Sequence, residues 1–153
     1  MKIAILYDSR TGNTEKLAGA IAEGVEEAGA EADVKKIGQR FPLSKIGDVD
    51  AVMFGSPVIY ADVTECMRDF VKKIDRYVSS GRIDMTGRVA AVFGSYGWDG
   101  AWIMEERLRA MVKGLGYNVY EDVLVETDSR IKHNPKAALS KARAFGKSFA
   151  KSL

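Results

Sequence analysis

Four small polar side chains crowd around one glycine in the stretch Ser9-Arg10-Thr11-Gly12-Asn13-Thr14. The hydroxyls of Ser9, Thr11 and Thr14 and the amide of Asn13 supply hydrogen-bond donors, and Gly12 lets the backbone approach a bound group closely. A short apolar run precedes this loop and a helical pattern follows it. A helix N-terminus offers unpaired N–H groups and positive partial charge, which suits phosphate. A turn that only caps a helix would need fewer polar residues than these. Two later loops add a different chemistry. "GSPVIYAD" (residues 55–62) places Pro57, Val58, Ile59 and Tyr60 together, and "SYGWDG" (residues 95–100) sets Tyr96 and Trp98 among glycines. Aromatics flanked by glycines suit stacking on a flat ring. For Trp98, packing beneath the following helix is the alternative. A phosphate cradle with apolar or aromatic walls on two sides fits a planar, phosphorylated cofactor.

The elements that must position these loops follow from hydrophobic periodicity. Ile3–Tyr7, Ala51–Ser56 and Arg88–Gly94 are largely apolar runs of the kind found in strands buried on both faces. Ala32 and Val34 alternate with charged residues, as in a strand near the sheet edge, and 117–126 (YNVYEDVLVE) reads as a final strand. Between the strands lie amphipathic helical patterns. One carries Thr14, Leu17, Ala18, Ile21, Val25 and Ala28, with Gly29 as its stop. The next carries Val63, Cys66, Met67, Phe70, Val71, Ile74 and Val78. A third carries Met104, Leu108, Met111, Val112 and Leu115, ending at Gly116. Asn134 and Pro135 mark the N-cap and first position of a closing helix with Ala138, Ala142, Phe145 and Phe149 on one face. Five strand–helix alternations predict an α/β fold, a five-stranded parallel sheet with helices on both faces. Ligands in such sheets bind beyond the carboxyl ends of the strands. All three loops (8–14, 55–62 and 94–100) fall there.

Bulk properties narrow the function classes. A chain of 153 residues makes about one domain, so residues 1–153 are expected to form a single unit. With 23 basic and 21 acidic side chains, the net charge of +2 is too balanced to argue for nucleic acid or a membrane surface. One cysteine, Cys66, forbids an internal disulfide and favours a reducing, cytoplasmic setting; such a residue is expected to be a small core side chain. The N-terminal apolar run is too short for a signal peptide, and no stretch approaches the ~20 apolar residues of a membrane span. No G-x-x-x-x-G-K-[ST] or G-x-G-x-x-G is present, which argues against a P-loop nucleotidase and a dinucleotide site. A phosphoacceptor receiver would need an acidic residue at the end of the third strand, where Gly55-Ser56 stands; Asp8 alone does not replace it.

With these features together, the sequence resembles the flavodoxins, carriers of flavin mononucleotide (FMN). "SRTGNT" matches the family's phosphate loop [ST]-x-T-G-x-T from Ser9 to Thr14, and "FGSPVIY" and "FGSYGWDG" resemble its two flavin-flanking loops. The closest likeness is to the flavodoxin-like domain of flavo-diiron proteins, without their diiron domain. The resemblance spans essentially the whole chain and implies the strand order 2-1-3-4-5. It implies that Ser9, Arg10, Thr11, Gly12, Asn13 and Thr14 surround the phosphate, with backbone N–H groups from residue 10 onward. It places Ser56, Pro57, Val58, Ile59, Tyr60, Ser95, Tyr96, Gly97, Trp98 and Gly100 around the flavin, with Ile59 or Tyr60 covering one face of the ring, Tyr96 or Trp98 the other, and backbone groups of residues 94–100 meeting its pyrimidine edge. It assigns no catalytic side chain and no metal. Redox proteins docking near the flavin edge are the implied partners, with a monomer or weak homo-oligomer as the expected state.

Three departures stand out. The chain is slightly basic where electron-carrying flavodoxins are acidic. Arg10 occupies the variable loop position, as an auxiliary phosphate clamp or a surface charge. Tyr60 stands where relatives use glycine for a peptide flip that stabilises a one-electron-reduced flavin; a non-glycine residue resists positive φ, so that state is expected to be less favoured. An FMN-dependent NAD(P)H:quinone-type reductase is the alternative reading, and a flavin-free interaction domain on the same fold is a second.

Overall fold

The computed structural model describes residues 1–38, 42–97 and 100–153. Its strands are β1 (Lys2–Tyr7), β2 (Glu31–Lys36), β3 (Ala51–Pro57), β4 (Val89–Tyr96), β5 (Asn118–Val119) and β6 (Leu124–Thr127). Its helices are α1 (Asn13–Glu27), α2 (Glu65–Ser79), α3 (Ala101–Gly114), α4 (Asp128–His133) and α5 (Pro135–Ser152), with a 3₁₀ turn over Leu43–Asp48. The strands pair in parallel in the order β2-β1-β3-β4-β5, and β6 also pairs with β4. The expected strand order is therefore observed.

Alternation along each buried strand feeds two cores. Ala4, Leu6, Val52, Phe54, Ala90 and Val92 face one side, with Met67, Phe70, Val71 and Ile74 of α2 and Met104, Leu108 and Val112 of α3. Ile3, Ile5, Met53, Ala91 and Phe93 face the other, with Leu17, Ile21 and Val25 of α1 and Ala138, Ala142 and Phe149 of α5. β2 is the edge, and no residue in it is fully buried.

The single final strand expected over 117–126 is interrupted. Val119 pairs with Ala90 and Leu124 with Phe93, so five steps on this strand oppose three on β4 and the chain bulges between them. Glu121 and Asp122 occupy the bulge, exposed, because a sheet position there would bury two carboxylates. Cys66 also departs from expectation and is exposed. The buried stripe of α2 runs Met67, Phe70, Val71, Ile74, and Cys66 lies one residue, about 100° of helix rotation, away from it. At Asn134 the backbone starts α5 with Pro135 in the first turn, and the Asn134 side chain makes no capping bond.

Candidate functional site

The loop after β1 is organised by its own polar atoms. Asp8 donates its N–H to the Gly55 carbonyl at 3.0 Å, and its carboxylate accepts from Ser9 N–H at 2.9 Å. Ser9 Oγ then accepts from Gly12 N–H at 3.1 Å. Gly12 has φ 90°, a left-handed conformation that a side chain would strain. α1 begins there with no side-chain cap. Its first N–H groups are thus left for an external acceptor, as a phosphate cradle requires. Arg10 and Thr11 are exposed at the lip.

Thr14 plays a different part from its neighbours. It is 1% exposed, and its hydroxyl lies 2.7 Å from that of Ser95 at the end of β4. Asn13 donates its amide to Asp128 Oδ1 at 3.0 Å. The first loop is therefore tied to the third loop and to α4 before any ligand is considered. Asp128 was not evident from the sequence. Its cue was Thr127 in front of it, which caps α4 by accepting from Arg130 N–H.

β3 and β4 stay paired as far as Pro57 and Ser95, and Val58 N–H donates to the Ser95 carbonyl at 2.8 Å. Gly94 makes this closeness feasible, since a β-carbon there would stand 2.6 Å from the Ser56 carbonyl oxygen. Ser56 is fully buried and its hydroxyl is committed to the protein, donating to the Pro57 carbonyl and accepting from Thr64 N–H. Val58 and Ile59 are half-buried.

Beyond them the chain makes a two-residue turn. Ile59 and Asp62 exchange backbone hydrogen bonds at 2.9 and 3.0 Å, and the central residues Tyr60 and Ala61 have φ 50° and 61°. Both are left-handed without being glycine, the type I′ arrangement. The resistance of Tyr60 to positive φ is thus already met in this conformation. The Tyr60 side chain is 99% exposed. Gly100, with φ 80°, lies against this turn: a β-carbon there would be 2.7 Å from that of Ala61. Loops 57–62 and 96–100 therefore touch. Tyr96 is half-buried and Gly97 exposed; Trp98 lies outside the described residues.

The turn is anchored by charge. Asp62 accepts from Arg68 at 2.5 Å and from Arg107 at 2.7 Å, and from Val63 N–H at 2.8 Å. Burial alone would raise its pKa, but Val63 N–H and the two guanidiniums outweigh burial and hold the carboxyl below its ordinary value. Under the first loop, Tyr7 donates its hydroxyl to Glu15. Burial and that carboxylate push the phenol up to about 12. Among the described residues no group of three or more His, Cys, Asp or Glu is placed to hold a metal.

The chain matches the family model described as Flavodoxin over residues 5–141. It is 30% identical over 149 residues to a flavodoxin of Clostridium beijerinckii, covering 95% of this chain and 97% of that one. An NAD(P)H dehydrogenase (quinone) of Sinorhizobium fredii is 34% identical over 113 residues, but the match covers 61% of this chain and 56% of that protein. A flavodoxin structure from the domain Archaea superposes with a TM-score of 0.83 at 26% identity, over 99% of this chain and 98% of that one. The flavodiiron core of Flv1 from Synechocystis sp. PCC6803 shares the fold, with a TM-score of 0.81 at 22% identity over 99% of this chain and 36% of that one. With its three strand-end loops joined as described, the chain belongs to the flavodoxin family.

Proposed function

We propose that Ser9, Arg10, Thr11, Gly12, Asn13 and Thr14 enclose the phosphate of FMN. In the same reading, Ser56–Tyr60 flank its ring on one side and Ser95, Tyr96, Gly97, Trp98 and Gly100 on the other. The protein is an FMN-binding electron-transfer protein of the flavodoxin type. When bound, the flavin supplies the redox chemistry, and the protein contributes binding and electrostatics. Within the cradle, the uncapped start of α1 meets the phosphate with N–H groups. Ser9 shapes the loop and Thr11 adds a hydroxyl at its lip. Thr14 and Ser56 act from behind, through Ser95 and Thr64, by fixing the loops. The single observation that carries this reading is the mutual bracing of the three loops through Thr14–Ser95, Val58–Ser95 and Ala61–Gly100.

Flavodoxins pass electrons to redox partner proteins. We place their docking here near the flavin edge, in a cytoplasmic monomer or weak homo-oligomer, with residues 1–153 as one domain. The lone cysteine fits that compartment, and no helix of the described residues is long and apolar enough to cross a membrane. The test is an absorption spectrum of the purified protein through stepwise reduction. One FMN per chain is expected. A colourless protein that leaves added FMN fluorescence unquenched would sink the reading. The partial match to a quinone dehydrogenase supports a second reading, an NAD(P)H-dependent quinone-type reductase. Rapid steady-state NADH or NADPH oxidation with a quinone would select it over the carrier.

A further inference from the structure

The near-neutral total charge hides a division. From Ser129 to Leu153 there are seven basic residues and no acidic one, so the first 128 residues hold 16 basic residues against all 21 acidic ones. Part of this cationic segment is neutralised where it packs. Arg143 and Lys147 pair with Glu23 and Glu27 of α1, and Arg130 approaches Glu126. Lys132, in the last turn of α4, has no ion-pair partner among the described residues, and neither does Lys16 on α1.

These two lysines share a cavity. It has a volume of about 420 Å³ and is lined by Thr11, Asn13 and Lys16 from one side and by Asp128, Ser129, Lys132 and His133 from the other. That size lies in the range of small-molecule sites, roughly 300–1,000 Å³. Its one carboxylate, Asp128, is hydrogen-bonded within the lining, and the two lysines outnumber its charge. Asp128 Oδ1 accepts from Asn13, and Oδ2 turns toward Gly97, 3.9 Å from where a β-carbon would stand there. Around the same space stand two ammonium groups, the only imidazole in the chain and two hydroxyls. Ammonium groups act as point charges toward phosphate oxygens, and hydroxyls complete the donor set.

We propose that this cleft is a second phosphate site that adjoins the loop of residues 9–14 and shares its Thr11 and Asn13 wall, with Lys16, Lys132 and His133 as its cationic groups and Ser129 as a donor. The proposal rests on the FMN reading only in taking the first loop to be filled by the cofactor's own phosphate. Two sources share the chemistry: the additional phosphate of a dinucleotide flavin, continuous with the first, and the phosphate of a separate nucleotide bound alongside FMN. Lys16 and Lys132 are exposed, so their removal tests charge and leaves the core intact.

The experiment has two arms, each with wild type and with the double variant Lys16→Ala/Lys132→Ala, whose melting curve is checked first. In one, FMN-loaded protein is titrated with ADP by calorimetry at low salt. In the other, apoprotein is titrated with FAD and with FMN by fluorescence quenching. Binding of ADP that weakens at least tenfold in the variant, and weakens with added salt, assigns the site to a separate nucleotide. FAD affinity within tenfold of FMN, lost in the variant while FMN changes less than twofold, assigns it to an extended cofactor. No ADP heat together with FAD far weaker than FMN, or binding that the variant leaves unchanged, overturns the proposal. If the chain fails to hold FMN at all, the function reading falls by itself, and ADP binding to the apoprotein still decides the cleft.

Discussion

The two faces of the sheet are built on opposite principles. On one, α1 and α5 meet backbone to backbone: a β-carbon on Gly24 would stand 1.9 Å from the Arg143 carbonyl oxygen, and one on Gly146 would stand 2.2 Å from that of Ile21. On the other, α2 and α3 stand apart around a groove of about 430 Å³ whose lining includes Val71, Ala110, Met111 and Leu115. At the carboxyl end of the sheet they are linked by Asp62 between Arg68 and Arg107 rather than by packing. The close face holds the fold rigid. The open face carries the strained turn beside the proposed ring site, anchored by charges that solvent can reach.

The sharpest way to break this contrast is to add side-chain volume on each side. Gly24→Ala or Gly146→Ala forces two helix backbones apart and should cost about 2–3 kcal/mol, read as a fall in the urea midpoint. Ala110→Leu adds more volume but enters the open groove, and it should change stability by less than about 0.5 kcal/mol. Equal losses on both sides would show that the groove closes in solution.

Next in size is the strained turn. Ala61→Gly relieves a left-handed non-glycine residue and should stabilise the protein by about 1 kcal/mol, measured by thermal melting; destabilisation would mean that the turn adopts another conformation in solution.

Asp62→Asn should cost roughly 0.5–1 kcal/mol at neutral pH, because both arginines are substantially exposed. The wild-type Asp62 carboxyl lies lower in the folded than in the unfolded state. Its contribution is therefore complete above the ordinary carboxylate pKa, about 4, and is lost as pH falls through the folded value. The variant should show a flatter stability profile on the acid side of pH 4 by urea titration. The smallest effect belongs to Arg10→Ala. Arg10 is exposed and has no ion-pair partner among the described residues, so FMN affinity should change less than about twofold by fluorescence titration, since hydrogen-bond donors already serve the phosphate. Loss of flavin would show that this loop depends on charge.

What could be read from the sequence divides along a similar line. The buried strands and the amphipathic helices announce themselves locally, because burial on one or two faces leaves a period in the residues. The first loop announces itself by composition. The Asp62 clamp does not, since Arg107 lies on a different helix and only the fold brings them together. The Asn13–Asp128 bond spans 115 positions in the chain, and nothing near Asn13 indicates it. The break in the last strand was visible in principle, because Glu121-Asp122 interrupts an apolar run. The slight basic excess misled in another way. It read as a property of the whole surface, whereas the excess lies in residues 129–153, which fold as the bulk of α4 and α5, leaving the rest of the chain acidic.

The contact between Gly24 and Arg143 also orders events in time. One partner is made early in synthesis and the other near the end of this chain, and closing so long a loop costs on the order of 4 kcal/mol of chain entropy. Until α5 emerges, α1 lacks the helix that packs against its Ile21 and Gly24. A ribosome-stalled chain ending before Pro135 should therefore be cut rapidly by protease within α1, and one released after Ser152 should resist. The helix with five basic residues and no acidic one is then also the one whose arrival closes this face of the sheet.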